Sequence, residues 1–218
     1  MDGILVINKP QGWTSFDVVA KIRNKLGAKK VGHTGTLDPM ATGVLVLCLG
    51  KATKLAQQMT GHDKEYVAEI TLGATSPTDD AEGEITPKKD AKKKSKTEVL
   101  TALKEFDGEI MQLPPQFSAK KVKGKRAYAM ARKGQEVKLE PVKVIVHELE
   151  LLDYKWPAVK LRISCGKGFY VRSLARDLGK KLGSGGYLSA LQRTKVGHYD
   201  LTQAASIEDA NENNIHPI

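Results

Sequence analysis

Segment 31–45, VGHTGTLDPMATGVL, constrains the fold more than any other stretch of this 218-residue chain. It sets three glycines, three threonines, one histidine and one carboxylate, Asp38, between two apolar runs. Glycine and proline interrupt both helices and strands, so no continuous regular element runs through it. A loop of this kind, held between structured elements, is where a fold displays chemistry. Pro39 biases Asp38 away from the helical region and toward an extended or turn backbone. Taken alone, the segment also fits a tight turn whose Thr and Asp side chains satisfy nearby backbone groups.

The chain is long enough to bury a sizeable core, as one large domain or two small ones. An apolar fraction of 40% and a charged fraction of 28% are those of an ordinary globular protein. Nothing in the sequence reads as a secretory signal, since Asp2 stands at its start and no long apolar run follows. The most apolar run, Val44 to Leu49, is too short to span a bilayer. Cys48 and Cys165 lie in apolar, strand-like runs and read as buried free thiols of a cytoplasmic protein, with no metal signal around them.

Charge is concentrated. Lys88 to Lys96 carries +5 and Lys120 to Lys138 carries +7, so of the net +10 the rest of the chain holds −2. Such segments suit phosphate backbones through counterion release. The first segment alone reads as a solvated charge run. The second interleaves Tyr128, Arg126 and Arg132 with lysines, the mixture that also stacks on bases.

Along the chain, Ile4 to Asn8 reads as a strand closed by a Lys9-Pro10-Gln11-Gly12 turn. Thr14 and Ser15 offer caps to a helix with Val18, Val19, Ile22 and Leu26 at helical spacing, ended by Gly27. Val44 to Leu49 reads as a central strand buried on both faces. Further elements are expected as a helix over 51–59, a strand over 66–72, and a long surface loop over 73–96. A helix over 97–106 is capped by Thr97 with Val99, Leu100 and Leu103 inward, and a short basic helix follows over 126–133. Strands are expected over 143–152 and 159–165, then a helix over 170–182 and a strand over 187–197. With no regular βα alternation, the pattern is α+β with a mixed, largely antiparallel sheet flanked by helices and loops.

Several segments, in order, resemble the TruB family of tRNA pseudouridine(55) synthases. His33-Thr34-Gly35-Thr36-Leu37-Asp38-Pro39-x-Ala41-Thr42-Gly43-x-Leu45 looks like its catalytic motif, and Asn8-Lys9-Pro10-x-Gly12-Trp13-Thr14-Ser15 its N-terminal motif, with Asn8 where Asp is more usual. Lys64 to Ala68, then Leu72 to Thr75 and Asp80-x-x-Gly83, resemble its tyrosine-bearing strand and loop, although Ser76-Pro77-Thr78 replaces a commoner Asp-Thr. Gln112 to Gly124 looks like its RNA-contacting insertion and Cys165 to Leu174 its arginine motif. The likeness runs from about Gly3 to Gly197.

The resemblance implies a pseudouridine synthase fold in one catalytic domain over 1–218, with a basic insertion over about 107–140 and no separate C-terminal RNA-binding domain. It implies isomerisation of a T-loop uridine in tRNA, with Asp38 as nucleophile. Isomerisation needs no redox change or energy input, so no cofactor and no metal are expected. Whether Asp38 attacks the ring or the ribose stays open. By themselves, Arg172 reads as a surface arginine near a helix start and Tyr66 as a half-buried sheet aromatic. The resemblance makes Arg172 the cation that pairs with the aspartate and keeps it ionised, and puts Tyr66 against the target base. It assigns His33 to holding the RNA loop, and Tyr170 and Leu191 to the base pocket. Lys9 supports the catalytic loop and counts among the substrate contacts, as do Lys120, Lys121 and Arg126 of the insertion. The target base must be flipped out at a cost of a few kcal/mol. The expected partner is the T-arm of tRNA, met by a monomer without a membrane. The rival readings are a tRNA-binding folding chaperone using the same surface, and a non-catalytic basic RNA-binding module, which leaves the loop around Asp38 unexplained.

Overall fold

The computed structural model describes residues 1–118, 121–122, 125–126 and 139–218. These form two compact units, one of 1–67 with 191–218 and one of 68–190.

In the first unit, strand β1 (Gly3–Lys9) pairs antiparallel with β3 (Thr42–Leu49), which also takes β2 (Val31–His33) antiparallel. Alternation along β1 and β3 feeds two cores. Leu5, Ile7, Leu45, Leu47 and Leu49 pack with Val18 and Ile22, whereas Ile4, Val6, Val44, Val46 and Cys48 pack with Met59, Val196 and Tyr199. A strand lined on both faces has no solvent side, which is why 44–49 is apolar without interruption.

Helix α1 (Ser15–Lys25) starts where the threonine predicts. Thr14 Oγ1 accepts from Asp17 N, and the Asp17 carboxylate accepts in return from Thr14 N, a reciprocal capping box. The stretch after β3 departs from expectation: Gly50–Leu55 is a 3-10 helix without a side-chain cap, and only Ala56–Met59 (α2) is α-helical.

Strands β4 (Lys64–Leu72) and β12 (Gly186–Val196) run on from one unit into the other. In the second unit, β10 (Val142–Lys155) pairs antiparallel with β11 (Ala158–Cys165) as expected, and with β7 (Gly108–Gln112), a strand the sequence reading lacks. Between β4 and β7, segment 73–96 is less loop-like than expected. Ala74–Thr75 (β5) pairs with Thr86–Pro87 (β6), and the turn between them buries Ser76 and Asp80. Helix α3 (Lys96–Leu103) begins at a Ser95 cap, not Thr97, and leaves Leu100 exposed. Within the basic insertion, Lys121–Val122 (β8) pairs with Lys125–Arg126 (β9). Arg126 therefore stands in a strand, not at the head of the expected helix, and 127–138 lies outside the described residues.

Helix α4 (Val171–Lys181) turns Val171, Leu174 and Leu178 inward. The first unit closes with β13 (Tyr199–Asp200) on β12 and β14 (Ile215–His216) on β1. The β3–β12 pair is parallel and the other registered pairs are antiparallel, which makes the sheet mixed and largely antiparallel. Cys48 and Cys165 are buried and free. Among the described residues no helix is long and apolar enough to cross a membrane.

Candidate active site

In the first unit, segment 31–45 leaves β2 at His33, loops, and enters β3 at Thr42. Its backbone is held at nearly every step. Thr34 N donates to Val46 O (3.1 Å). The Arg193 guanidinium donates to Val44 O (2.8 Å), Gly35 O (3.1 Å) and Thr36 O (3.4 Å). Ser15 Oγ clasps Leu37 from both sides, accepting from its N (2.8 Å) and donating to its O (3.0 Å). Pro39 O accepts from Gly12 N (2.8 Å) and from Lys9 Nζ (3.4 Å), and Ala41 N closes a turn on Asp38 O (3.0 Å). The residues before and after Asp38 are thus tied to α1 and to the β1–α1 turn, while Asp38 itself is half-buried. This is a carboxylate on a fixed backbone within reach of solvent.

Lys9 is fully buried, and its ammonium also donates to Pro10 O (2.9 Å) and Trp13 O (2.7 Å). It is a fastener of the two loops, a cation placed where three carbonyl dipoles converge. His33 is half-buried, its ring centroid 5.3 Å from that of Phe16 and nearly perpendicular to it, at 80°. Leu191 packs on the core cluster that contains Leu37 and Ala41. Tyr66 is buried in β4.

The second unit holds Tyr170 and Arg172 at the start of α4. The buried Gln112 side chain bridges both backbone groups of Tyr170, accepting from its N (2.8 Å) and donating to its O (3.1 Å). Arg172 is 6% exposed, not a surface residue. Its guanidinium lies 3.5 Å from an Asp80 carboxylate oxygen and donates to Thr78 O (3.3 Å) and Phe117 O (3.0 Å). Asp80, 1% exposed, also accepts from Thr78 Oγ1 (2.5 Å) and Glu82 N (3.0 Å). Beside it, Asp79 adopts φ 62° and pairs with Arg176 (3.0 Å). Burial pushes the Asp79 carboxyl up, against the pull of the Arg176 and Arg172 guanidinium groups.

Of the expected site residues, Lys9, His33, Asp38, Tyr66 and Leu191 belong to the first unit, and Tyr170 and Arg172 to the second. Lys120 lies outside the described residues; the backbones of Lys121 and Arg126 are register partners in the β8–β9 pair. Sequence reasoning missed Ser15, Arg193, Asp79, Asp80 and Arg176. Two of these left a trace, Ser15 as the last residue of the Asn8-to-Ser15 motif and Asp80 through its place in the Asp80-x-x-Gly83 motif.

A family model described as "TruB family pseudouridylate synthase (N terminal domain)" matches residues 23–171, and one described as "tRNA pseudouridylate synthase B C-terminal domain" matches 172–215. The chain is 46% identical over 215 residues to the tRNA pseudouridine synthase B of Clostridium tetani, covering 99% of this chain and 74% of that protein. It is 48% identical to that of Parabacteroides distasonis, covering 96% of this chain and 92% of that one. Among solved structures, a Cbf5-Nop10-Gar1 complex matches with a TM-score of 0.76 at 32% identity, over 95% of this chain and 53% of that chain. The chain thus spans about half of that longer structure. A pseudouridylate synthase structure at 18% identity and a TM-score of 0.50 shares the fold. On the matched N-terminal model and relatives approaching half identity over nearly its whole length, the chain belongs to the TruB family of pseudouridylate synthases.

Proposed function

We propose that this protein converts uridine to pseudouridine in the T-loop of tRNA, at position 55, with Asp38 as the nucleophile. The reaction breaks the C1′–N1 bond, turns the detached uracil and joins C1′ to C5. The proton lost from C5 is balanced by the one gained at N1, so the net change is an isomerisation. The substrate class comes from the relatives, which are tRNA pseudouridine synthases B.

The observation that carries the reading is the clamped backbone around Asp38. Ser15 holds Leu37, Gly12 and Lys9 hold Pro39, and Arg193 holds Gly35 and Thr36. A nucleophile gains most when its position is set before the substrate arrives, because a fixed geometry replaces the entropy of a collision. The carboxylate is only half-buried, and a base flipped from its stack is what must approach it. Tyr66 and Arg172 take the parts that the family resemblance assigns them, Tyr66 toward the base and proton transfer and Arg172 as the cation of the chemistry. His33, Tyr170 and Leu191 contact the RNA loop and base, and Lys120, Lys121 and Arg126 its phosphates. The protein works as a cytoplasmic monomer on the T-arm.

Asp38→Asn tests this on a T-arm hairpin. The expected result is loss of pseudouridine formation with RNA binding retained, since amide and carboxylate are near-isosteric. Full product formation by the variant would overturn the nucleophile assignment.

A further inference from the structure

Phe16 stands in the first turn of α1 with 61% of its surface exposed. A single exposed apolar side chain needs no explanation on a protein surface. The position of this one does. Its neighbour Ser15 grips Leu37, the residue before Asp38, through both backbone groups. Its ring meets His33 edge-to-face with centroids 5.3 Å apart. The capping box of Thr14 and Asp17 spans the same turn, so the ring rides on a fixed pedestal.

The perpendicular contact has a geometric consequence. If the Phe16 edge points at the imidazole face, the imidazole covers neither phenyl face. If the imidazole edge points at Phe16, the imidazole covers one phenyl face and not the other. Either way the imidazole leaves at least one phenyl face uncovered on a side chain that is mostly exposed, and exposed Lys29 and Lys30 lie just ahead of β2 in the chain. An exposed aromatic ring next to the catalytic loop, on a surface that also carries exposed lysines, suits a nucleobase and its phosphate.

We infer that Phe16 is a stacking platform for a nucleobase of the substrate RNA, acting with His33 to hold the loop from which the target uridine is drawn. This rests on the proposal that the protein acts on a T-arm. Phe16 touches no reacting atom in this scheme; it is a positioning residue whose energy appears in RNA binding.

The test uses the full chain and a T-arm hairpin, with wild type, Phe16→Ala and Phe16→Trp. Phe16→Ala is expected to bind the hairpin about tenfold more weakly, the order of one lost base–aromatic stack. The loss should fall on KM and leave kcat, and the thermal midpoint should stay that of wild type. Phe16→Trp should restore affinity, and its indole emission should be quenched by RNA beyond the background of Trp13 and Trp156. Unchanged affinity of Phe16→Ala would overturn the inference, as would an unquenched indole at position 16. Failure of the wild type to bind or convert the hairpin would instead strike the underlying substrate assignment.

Discussion

Arg193 fastens the start of the Asp38 loop to β3, although it never touches the substrate in this scheme. It is 2% exposed and donates to Val44 O at 2.8 Å, Gly35 O at 3.1 Å and Thr36 O at 3.4 Å. Replacement by methionine keeps much of the volume and removes every donor. The two shorter bonds are charge-assisted and worth about 1.5–3 kcal/mol each, while the longest contributes little. Loss of the buried charge's own desolvation offsets part of this, which leaves a destabilisation of about 3–5 kcal/mol. For a chain of this size each kcal/mol lowers Tm by about 2–4 °C, so a fall of roughly 6–20 °C is expected. Circular dichroism melting measures that part. The functional part is read by single-turnover pseudouridine formation well below the lowered midpoint. A backbone shift of about 1 Å at a reacting group costs on the order of a hundredfold in rate, so a loss of at least about tenfold is expected for the folded variant. A Tm within about 2 °C of wild type together with an unchanged single-turnover rate would refute the clamp argument.

Other perturbations probe neighbouring links. Gly43 has φ 101°, and a Cβ there would sit 2.2 Å from Arg193 O, so Gly43→Ala must open the β3–β12 pairing. A destabilisation of at least about 2 kcal/mol is expected from the backbone strain alone, and an unshifted urea midpoint would contradict it. In the α1 cap, hydrogen bonds from the Thr14 hydroxyl and backbone N–H hold the Asp17 carboxyl below the ordinary aspartate range. Because the folded value is the depressed one, this stabilisation is fully present above the ordinary range and is lost as pH falls through the folded value. An NMR titration in which Asp17 titrates at or above the ordinary value would exclude the capping box.

How far the sequence could be read depended on how far apart the partners stood. The β3 run and the Thr14 cap are local patterns, and both elements formed where their residues predict. The Ser95 cap was equally local and legible: Ser95 is followed three residues later by Glu98, the capping-box spacing, and Glu98 accepts from Ser95 N (2.7 Å). Thr97 lacks this partner, since the residue three positions on is Leu100. Leu100 shows a different limit, since helical spacing identifies an apolar stripe but not how wide a stripe the neighbouring elements cover. Strand β7 needed its partner β10, thirty or more residues away, before its mixed sequence could count as a strand.

The same distinction runs through the candidate site and explains why its chemistry was easier to see than its support. Asp38 announces itself through its neighbours in the chain, because the glycines and prolines that shape a loop must lie in that loop. The groups that hold the loop still are under no such constraint. Lys9 and Ser15 reach it from about thirty and twenty-two positions upstream of their acceptors, and Arg193 from more than 140 positions downstream. Each is a polar or charged side chain at a buried position, which amphipathic patterning reads as a surface residue. A buried cation is retained only where enough acceptors converge on it. At Lys9 and Arg193 those acceptors are backbone carbonyls, which every residue carries and no sequence pattern marks. The clamp on Asp38 therefore follows from the fold, and the loop it clamps follows from the sequence.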